Sequence, residues 1–223
     1  MAGTTSVSYS NTTTVTGQGT AATTGSAGAS SGYQVNHFLT GTLSVLVSNG
    51  ETYCMGDAGS LQNQLGLSAQ DASTYAGRWI SLAPSDPPAA TVGAGVTLPD
   101  VESEILGTSA NSTNTSPSGI TLNAESVSTP HVVNGVNVVT ISISVTIAGS
   151  AAGTATGGQG SAQLDVAAQA PYLPVSESIS ASIQGPSGTV TATSAVTLSG
   201  WNAPLSLPTP TNVVPYASIP SAQ

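Results

Sequence analysis

Apolar and polar positions alternate along much of this chain, most cleanly where Val139, Ile141, Ile143, Val145 and Ile147 are separated by Thr and Ser without a miss. A period of two sends successive side chains to opposite faces of a pleated strand, so this segment predicts one dry and one wet face. Looser alternation predicts strands over residues 33–39 and 42–47. Asn49-Gly50 is a type I′ hairpin signal, with residues 52–55 as the return strand. Residues 164–168, 175–183 and 189–201 read as three further strands, and from Ile120 onward the chain reads almost wholly as β.

Between residues 58 and 106 the period changes. Leu61 and Leu65, four apart, predict a short helix over 58–65. Ser68 with Asp71 three residues on resembles a capping box for a second helix that stops at Gly77. Thr97 caps a third, with Pro99 in its first turn; Asp100, Glu102 and Glu104 suit the positive helix end, and Leu106 closes it. Other stretches read as connections. The Gly/Ser/Ala tract 17–32 is expected to be flexible. Residues 83–95 (with Pro84, Pro87 and Pro88), 109–119 and 149–160 are expected to be loops, and Pro186-Ser187-Gly188 a turn. The Pro-rich end, 204–220, is expected to lie extended on the surface. Strands on both sides of a helical insertion imply helices packed on one face of an antiparallel sheet, an α+β arrangement. One domain is expected: strands and a flexible segment over 1–32, the body over 33–205 and a tail over 206–223.

Composition narrows the function. The 223 residues include one basic residue, Arg78, against ten carboxylates, for a net charge of −9. Such a surface cannot neutralise a phosphate backbone, which excludes nucleic-acid binding. It also gives no basic patch for anionic lipid. No apolar run approaches the ~18 residues of a membrane-spanning helix. Mean hydropathy is +0.17, outside the range of disordered chains. The single Cys54 excludes an internal disulfide and reads as a small buried thiol. A Ser/Thr/Asn surface without Lys suggests an acid-tolerant protein of the cell envelope or the extracellular space. The start, Met1-Ala2-Gly3-Thr4-Thr5, reads as that of a trimmed mature chain.

Three groups of motifs, in this order, resemble those of a known family. They are Glu51-Thr52-Tyr53-Cys54-Met55-Gly56-Asp57, Leu65-Gly66-Leu67 with Tyr75-Ala76-Gly77-Arg78-Trp79-Ile80, and Pro171-Tyr172-Leu173-Pro174-Val175 with Leu198-Ser199-Gly200-Trp201-Asn202-Ala203-Pro204. Together they resemble actinobacterial envelope lipoproteins of the LolA-like and LppX/LprG-like carrier superfamily, over residues 33–205. Met55 and Arg78 stand where that family usually has Lys, and a lipidated Cys near the start is absent here. The resemblance implies a curved, unclosed antiparallel β half-barrel whose concave face is plugged by a few short helices. It also implies a lipid or other hydrophobic small molecule held between sheet and helices. Membrane association would then come only through a lipid anchor not present in this chain, on a monomer. The resemblance, taken with the periodicity of the apolar positions, nominates Leu43, Val45, Leu65, Tyr75, Leu106, Ile141, Ile143 and Val145 as lining residues.

Catalytic signals are weak by comparison. His37 and His131 are isolated in sequence, which gives no metal-ligand spacing and no cofactor site. Serine is too frequent along the chain for any one of them to mark a nucleophile. Gly157-Gly158-Gln159-Gly160 lacks the Lys of a phosphate loop. Asp165 and Glu177 could pair across a glycosidase cleft, though nothing in the sequence links them. Arg78 is expected to pair with Asp57 or Asp71. The expectation is a non-catalytic, lipid-binding envelope protein; the alternative is a fully packed structural or adhesive surface domain without ligand.

Overall fold

The computed structural model describes residues 3–106, 120–148, 157–185 and 188–222. The chain is mostly β, 52% strand against 17% helical, with a large unclosed sheet. Hydrogen bonding links the strands in one order, and a parallel pair makes the sheet mixed rather than wholly antiparallel. The chain divides into two compact units. The first comprises Met1–Ser10, Ala21–Thr108 and Gly200–Gln223; the second comprises Asn11–Thr20 and Ser109–Ser199.

The first unit takes the opening half of β1 (Ser6–Val15) and most of β2 (Gly19–Gly28). It continues with β3 (Gly32–Phe38), β4 (Gly41–Ser48), β5 (Glu51–Gly56) and β6 (Ile80–Leu82). The β4–β5 hairpin turns through Asn49 and Gly50 at φ 55° and 78°, both left-handed as a type I′ turn requires. Four α-helices follow among the described residues: α1 (Ala58–Leu65), α2 (Ala69–Tyr75), α3 (Ala89–Val92) and α4 (Leu98–Leu106). Each of the predicted helices starts at a side-chain cap. Asp57 accepts the Ser60 amide at 2.9 Å, Ser68 accepts the Asp71 amide at 3.1 Å, and Asp100 accepts the Thr97 amide at 3.2 Å and the Thr97 hydroxyl at 2.6 Å. Helix α3 lies where a loop was expected; its four residues bury Ala89 and Val92, so tertiary burial overrides the nearby prolines.

Two more segments depart from expectation. The tract expected to be flexible forms β2, paired to β3 from Ala22↔His37 to Ala27↔Gly32. Small residues are what this strand needs, because a Cβ at Gly25 would sit 2.6 Å from the Tyr9 ring. The tail does not run along the surface throughout. It ends in β13 (Val214–Pro215), parallel to β6, and two 3-10 turns that bury Tyr216 and Ile219. The Tyr216 hydroxyl donates to the Leu65 carbonyl at 3.0 Å, which ties the tail to the end of α1.

The second unit takes the remainder of β1, then β7 (Ile120–Val127), β8 (His131–Val133), β9 (Val136–Ala148), β10 (Gly157–Ala167), β11 (Pro174–Gly185) and β12 (Gly188–Ser199). Its strand order is β1-β12-β11-β10-β9-β7, with β8 also on β9. The end of the expected 149–160 loop is already strand β10. The expected loop over 109–119 and Pro186-Ser187 lie outside the described residues. The four α-helices all belong to the first unit.

Candidate functional site

The nominated lining residues fall into two groups. Leu43, Val45 and Leu65 join Cys54, Leu61, Ile80, Leu82, Val96 and Ile219 in one buried cluster of the first unit, against which Tyr75 packs. Val45 and its cross-strand partner Cys54 are both 0% exposed. Helix α1 packs on β4 and β5, and α3 on β5. Ile141, Ile143 and Val145 lie on β9 in the second unit, half-buried. Leu106 closes α4, and its side chain lies outside the described residues.

Polar groups share the first unit's dry face. Gln34 pairs with Val45 and Asn36 with Leu43, and directly paired residues of an antiparallel ladder point to the same side. Gln34 is 7% exposed and Asn36 9%. Burying a polar group is costly unless it is hydrogen-bonded. The Tyr9 hydroxyl donates to Gln34 Oε1 at 2.8 Å, and the Thr23 hydroxyl donates to Asn36 Oδ1 at 2.8 Å. Sequence reasoning missed both. Their placement between apolar residues of β3 was the available signal, since it sets Gln34 and Asn36 on the face opposite Tyr33 and Val35.

The carboxylates expected to hold Arg78 have other donors. Asp57 also accepts the Thr42 amide at 2.7 Å; the Ser60 and Thr42 amides together hold its carboxyl below the usual range. Asp71 accepts the Ser221 amide at 3.0 Å and is likewise lowered, first by Ser221 and then by Ser68. The Arg78 guanidinium lies 5.5 Å from the centre of the Tyr75 ring, a cation–π contact. Burial pushes the Cys54 thiol up to about 12, so it stays protonated and unreactive.

In the second unit the strand register sorts every side chain to a face. Ile141, Ile143 and Val145 pair with Leu164, Ala162 and Gly160, and these pair with Glu177, Ile179 and Ala181. The next strand adds Val196, Ser194 and Ala192. This face is mainly apolar. The opposite face carries Thr140, Ser142 and Ser144, then Asp165, Gln163 and Ser161, then Ser176, Ser178 and Ser180. A shallow groove of about 400 Å³, lined largely by Thr12, Thr14, Ser161, Gln163, Ser178 and Thr193, runs across it. Neither face is deeply buried: along β9–β12, Val138, Pro174, Val175 and Leu198 are buried among the described side chains.

The register also decides the chemistry. Asp165 pairs with Ser176, whereas Glu177 pairs with Leu164, so the two carboxylates point to opposite faces and cannot flank one cleft. Asp165 instead accepts the hydroxyls of Thr140 and Ser176. Thr140 Oγ1 lies 3.3 Å from His131 Nε2, and Ser128 Oγ lies 3.4 Å from His131 Nδ1. The chain Ser128–His131–Thr140–Asp165 looks like a triad with a hydroxyl inserted. A triad needs the acid bonded directly to the imidazole, and here Thr140 stands between them. Ser128 meanwhile receives the Thr140 amide at 2.9 Å and donates to the Thr129 carbonyl at 2.9 Å, which stitches the β8 turn to β9. His37 is exposed, with Nδ1 3.1 Å from the Thr42 hydroxyl. Among the described residues no group of His, Cys, Asp and Glu converges as a metal site.

No family model matches this chain and no curated protein matches it.

Proposed function

We propose that this chain is a non-catalytic structural or adhesive module of the cell surface or envelope, a fully packed first unit accompanied by a sheet unit whose faces are its contact surfaces. One observation carries the reading. Leu43, Val45 and Leu65, which a carrier would turn toward its guest, are 0–3% exposed in a close-packed cluster. Gln34 and Asn36 add bonded polar groups to that same face, where an acyl chain would gain nothing. The sparse charge and Ser/Thr surface suit an exposed protein, and the inserted Thr140 supports a structural role for His131.

A second reading keeps the carrier. It sees the unclosed sheet as a curved antiparallel half-barrel, plugged by helices, that holds an acyl chain. The open row of Ile141, Ile143 and Val145 favours it, since each buried methylene of a guest would contribute ~0.8 kcal/mol there. Titration with a fluorescent fatty acid separates the two, together with native mass spectrometry of protein from its own host. The structural reading expects no saturable binding and no co-purified lipid. Stoichiometric binding that weakens on Ile143→Ser would overturn it in favour of the carrier.

A further inference from the structure

From the open apolar face of β9–β12 we infer that the second unit self-associates: the occupant of that face is the same face of a second copy of this chain. This rests on the structural reading above.

An antiparallel sheet ordinarily covers one face and wets the other. Here the apolar face stands open, with Ile179 43%, Ile183 39% and Val190 47% exposed. Four strands at about 4.8 Å spacing and nine residues at about 3.4 Å make a patch of about 600 Å². That is at the top of the range for the largest patch on a monomer. Two copies face to face would remove about 1,200 Å² from water, the lower bound of stable interfaces. Shape favours a self-match. Strand β10 presents Gly158, Gly160 and Ala162 in a row: Ala162 pairs with Ile143 of β9 and Ile179 of β11, Gly160 with Val145 and Ala181, and Gly158 with Ile183 of β11. A trough between two ridges accepts the ridge of its twin, as the inner faces of a β-sandwich interdigitate about 10 Å apart. Charge is sparse. Glu125 lies on the outermost strand β7, outside the four strands, and Glu177 stands two residues before Ile179 on β11, so the rows of Val145 and Ile183 hold no charged group to attract an unlike partner. A twofold pairing is the commonest closed arrangement and leaves no open chain of contacts.

Sedimentation equilibrium of the full chain, from about 1 to 200 µM, tests this. The expected result is an average mass rising from 21.7 kDa toward twice that value. Ile179→Lys should weaken association at least ~100-fold by placing a charge in the centre. Val190→Lys, at a more exposed position near the β11–β12 turn, should act the same way, so that misfolding of one variant cannot mimic the effect. Ser180→Lys, the neighbour of Ile179 on the opposite face, should associate as the wild type does. Circular dichroism must stay unchanged in each. A single 21.7 kDa species throughout would overturn the inference, as would equal dissociation by Ser180→Lys. A monomer that binds no fatty acid sinks the dimer and leaves the structural reading standing; a monomer that binds fatty acid saturably sinks both.

Discussion

Truncating Ile219 to Ala tests whether the tail closes the core of the first unit. Ile219 is 0% exposed, lies in the cluster with Leu61, Leu65 and Cys54, and follows a tyrosine whose hydroxyl is bonded to α1. Removing its buried carbons loses transfer free energy and leaves a cavity, together about 2–4 kcal/mol. Stability of a whole domain is only ~5–15 kcal/mol, so the loss is large. Cys54 supplies the assay. Its thiol is buried in the same cluster and held protonated, so an aromatic disulfide reagent reaches it only when the cluster opens. If opening is a rapid pre-equilibrium, each 1.4 kcal/mol changes the labelling rate tenfold. The variant should therefore label roughly 30- to 700-fold faster than the wild type at neutral pH. Ala217→Ser, on the exposed side of the same turn, should change the rate less than about threefold. A rate for Ile219→Ala within threefold of the wild type would show that the tail merely rests on a core complete without it.

Asp57→Ala should cost about 1–2 kcal/mol at pH 7, because it removes the cap of α1 and orphans the Thr42 amide. The Asp57 carboxyl is lowered by those amides, so its contribution is present above the ordinary carboxylate range and is lost as pH falls through the depressed value. Melting curves at pH 7 and pH 3 should show the gap between wild type and variant narrowing in acid; a constant gap would refute the assignment. Gly41→Ala should destabilise by about 1–3 kcal/mol, since φ is 141° and the added Cβ would lie 2.0 Å from Asp57 Oδ1. Gly50→Ala, at φ 78° in open space, should cost about 1 kcal/mol, and paired urea titrations should rank the two in that order. At alkaline pH the unfolded Cys54 thiol ionises near its ordinary value of 9.0, whereas the folded one holds its proton to about 12. Stability should therefore fall as pH rises between those values, by about 1.4 kcal/mol per unit from this group, and urea titrations at pH 8 and pH 10 should show Cys54→Ala relieved of that part of the slope.

Helices α1, α2 and α4 were legible because their signals are local, whereas α3 was not. Asp57, Ser68 and Thr97 each sit next to the amides they cap or the side chain that caps them, so sequence distance equals spatial distance. The Asn49-Gly50 turn was legible for the same reason. Strand β2 was not, since its Gly, Ser and Ala side chains are too small for a hydrophobic period and its register comes from β3. The tail was hidden too. Val214, Tyr216 and Ile219 are spaced irregularly among prolines, and only the far-off β6 and α1 explain why they are buried. The Thr140–Asp165 contact joins residues 25 apart and follows from the β9–β10 register, which no single strand encodes.

The candidate site turns on a distinction that alternation cannot draw. Leu43 and Val45 on β4, like Ile141 and Ile143 on β9, alternate in sequence around a serine, yet the first pair is sealed and the second stands half-open. Period two states which residues share a face; whatever covers that face belongs to other elements. Chain order supplies part of the answer. Consecutive elements are usually neighbours in space, and the helical insertion directly follows β5. Helices placed there cover β4 and β5, as α1 and α3 do, while β9–β12 follow one another with no helix between them among the described residues. A dry face generated by strands alone must find its cover elsewhere, and among the described residues the second unit offers a single sheet. The rhythm that suggested an internal cavity therefore argues, once the position of the helices is known, for a face completed by another molecule.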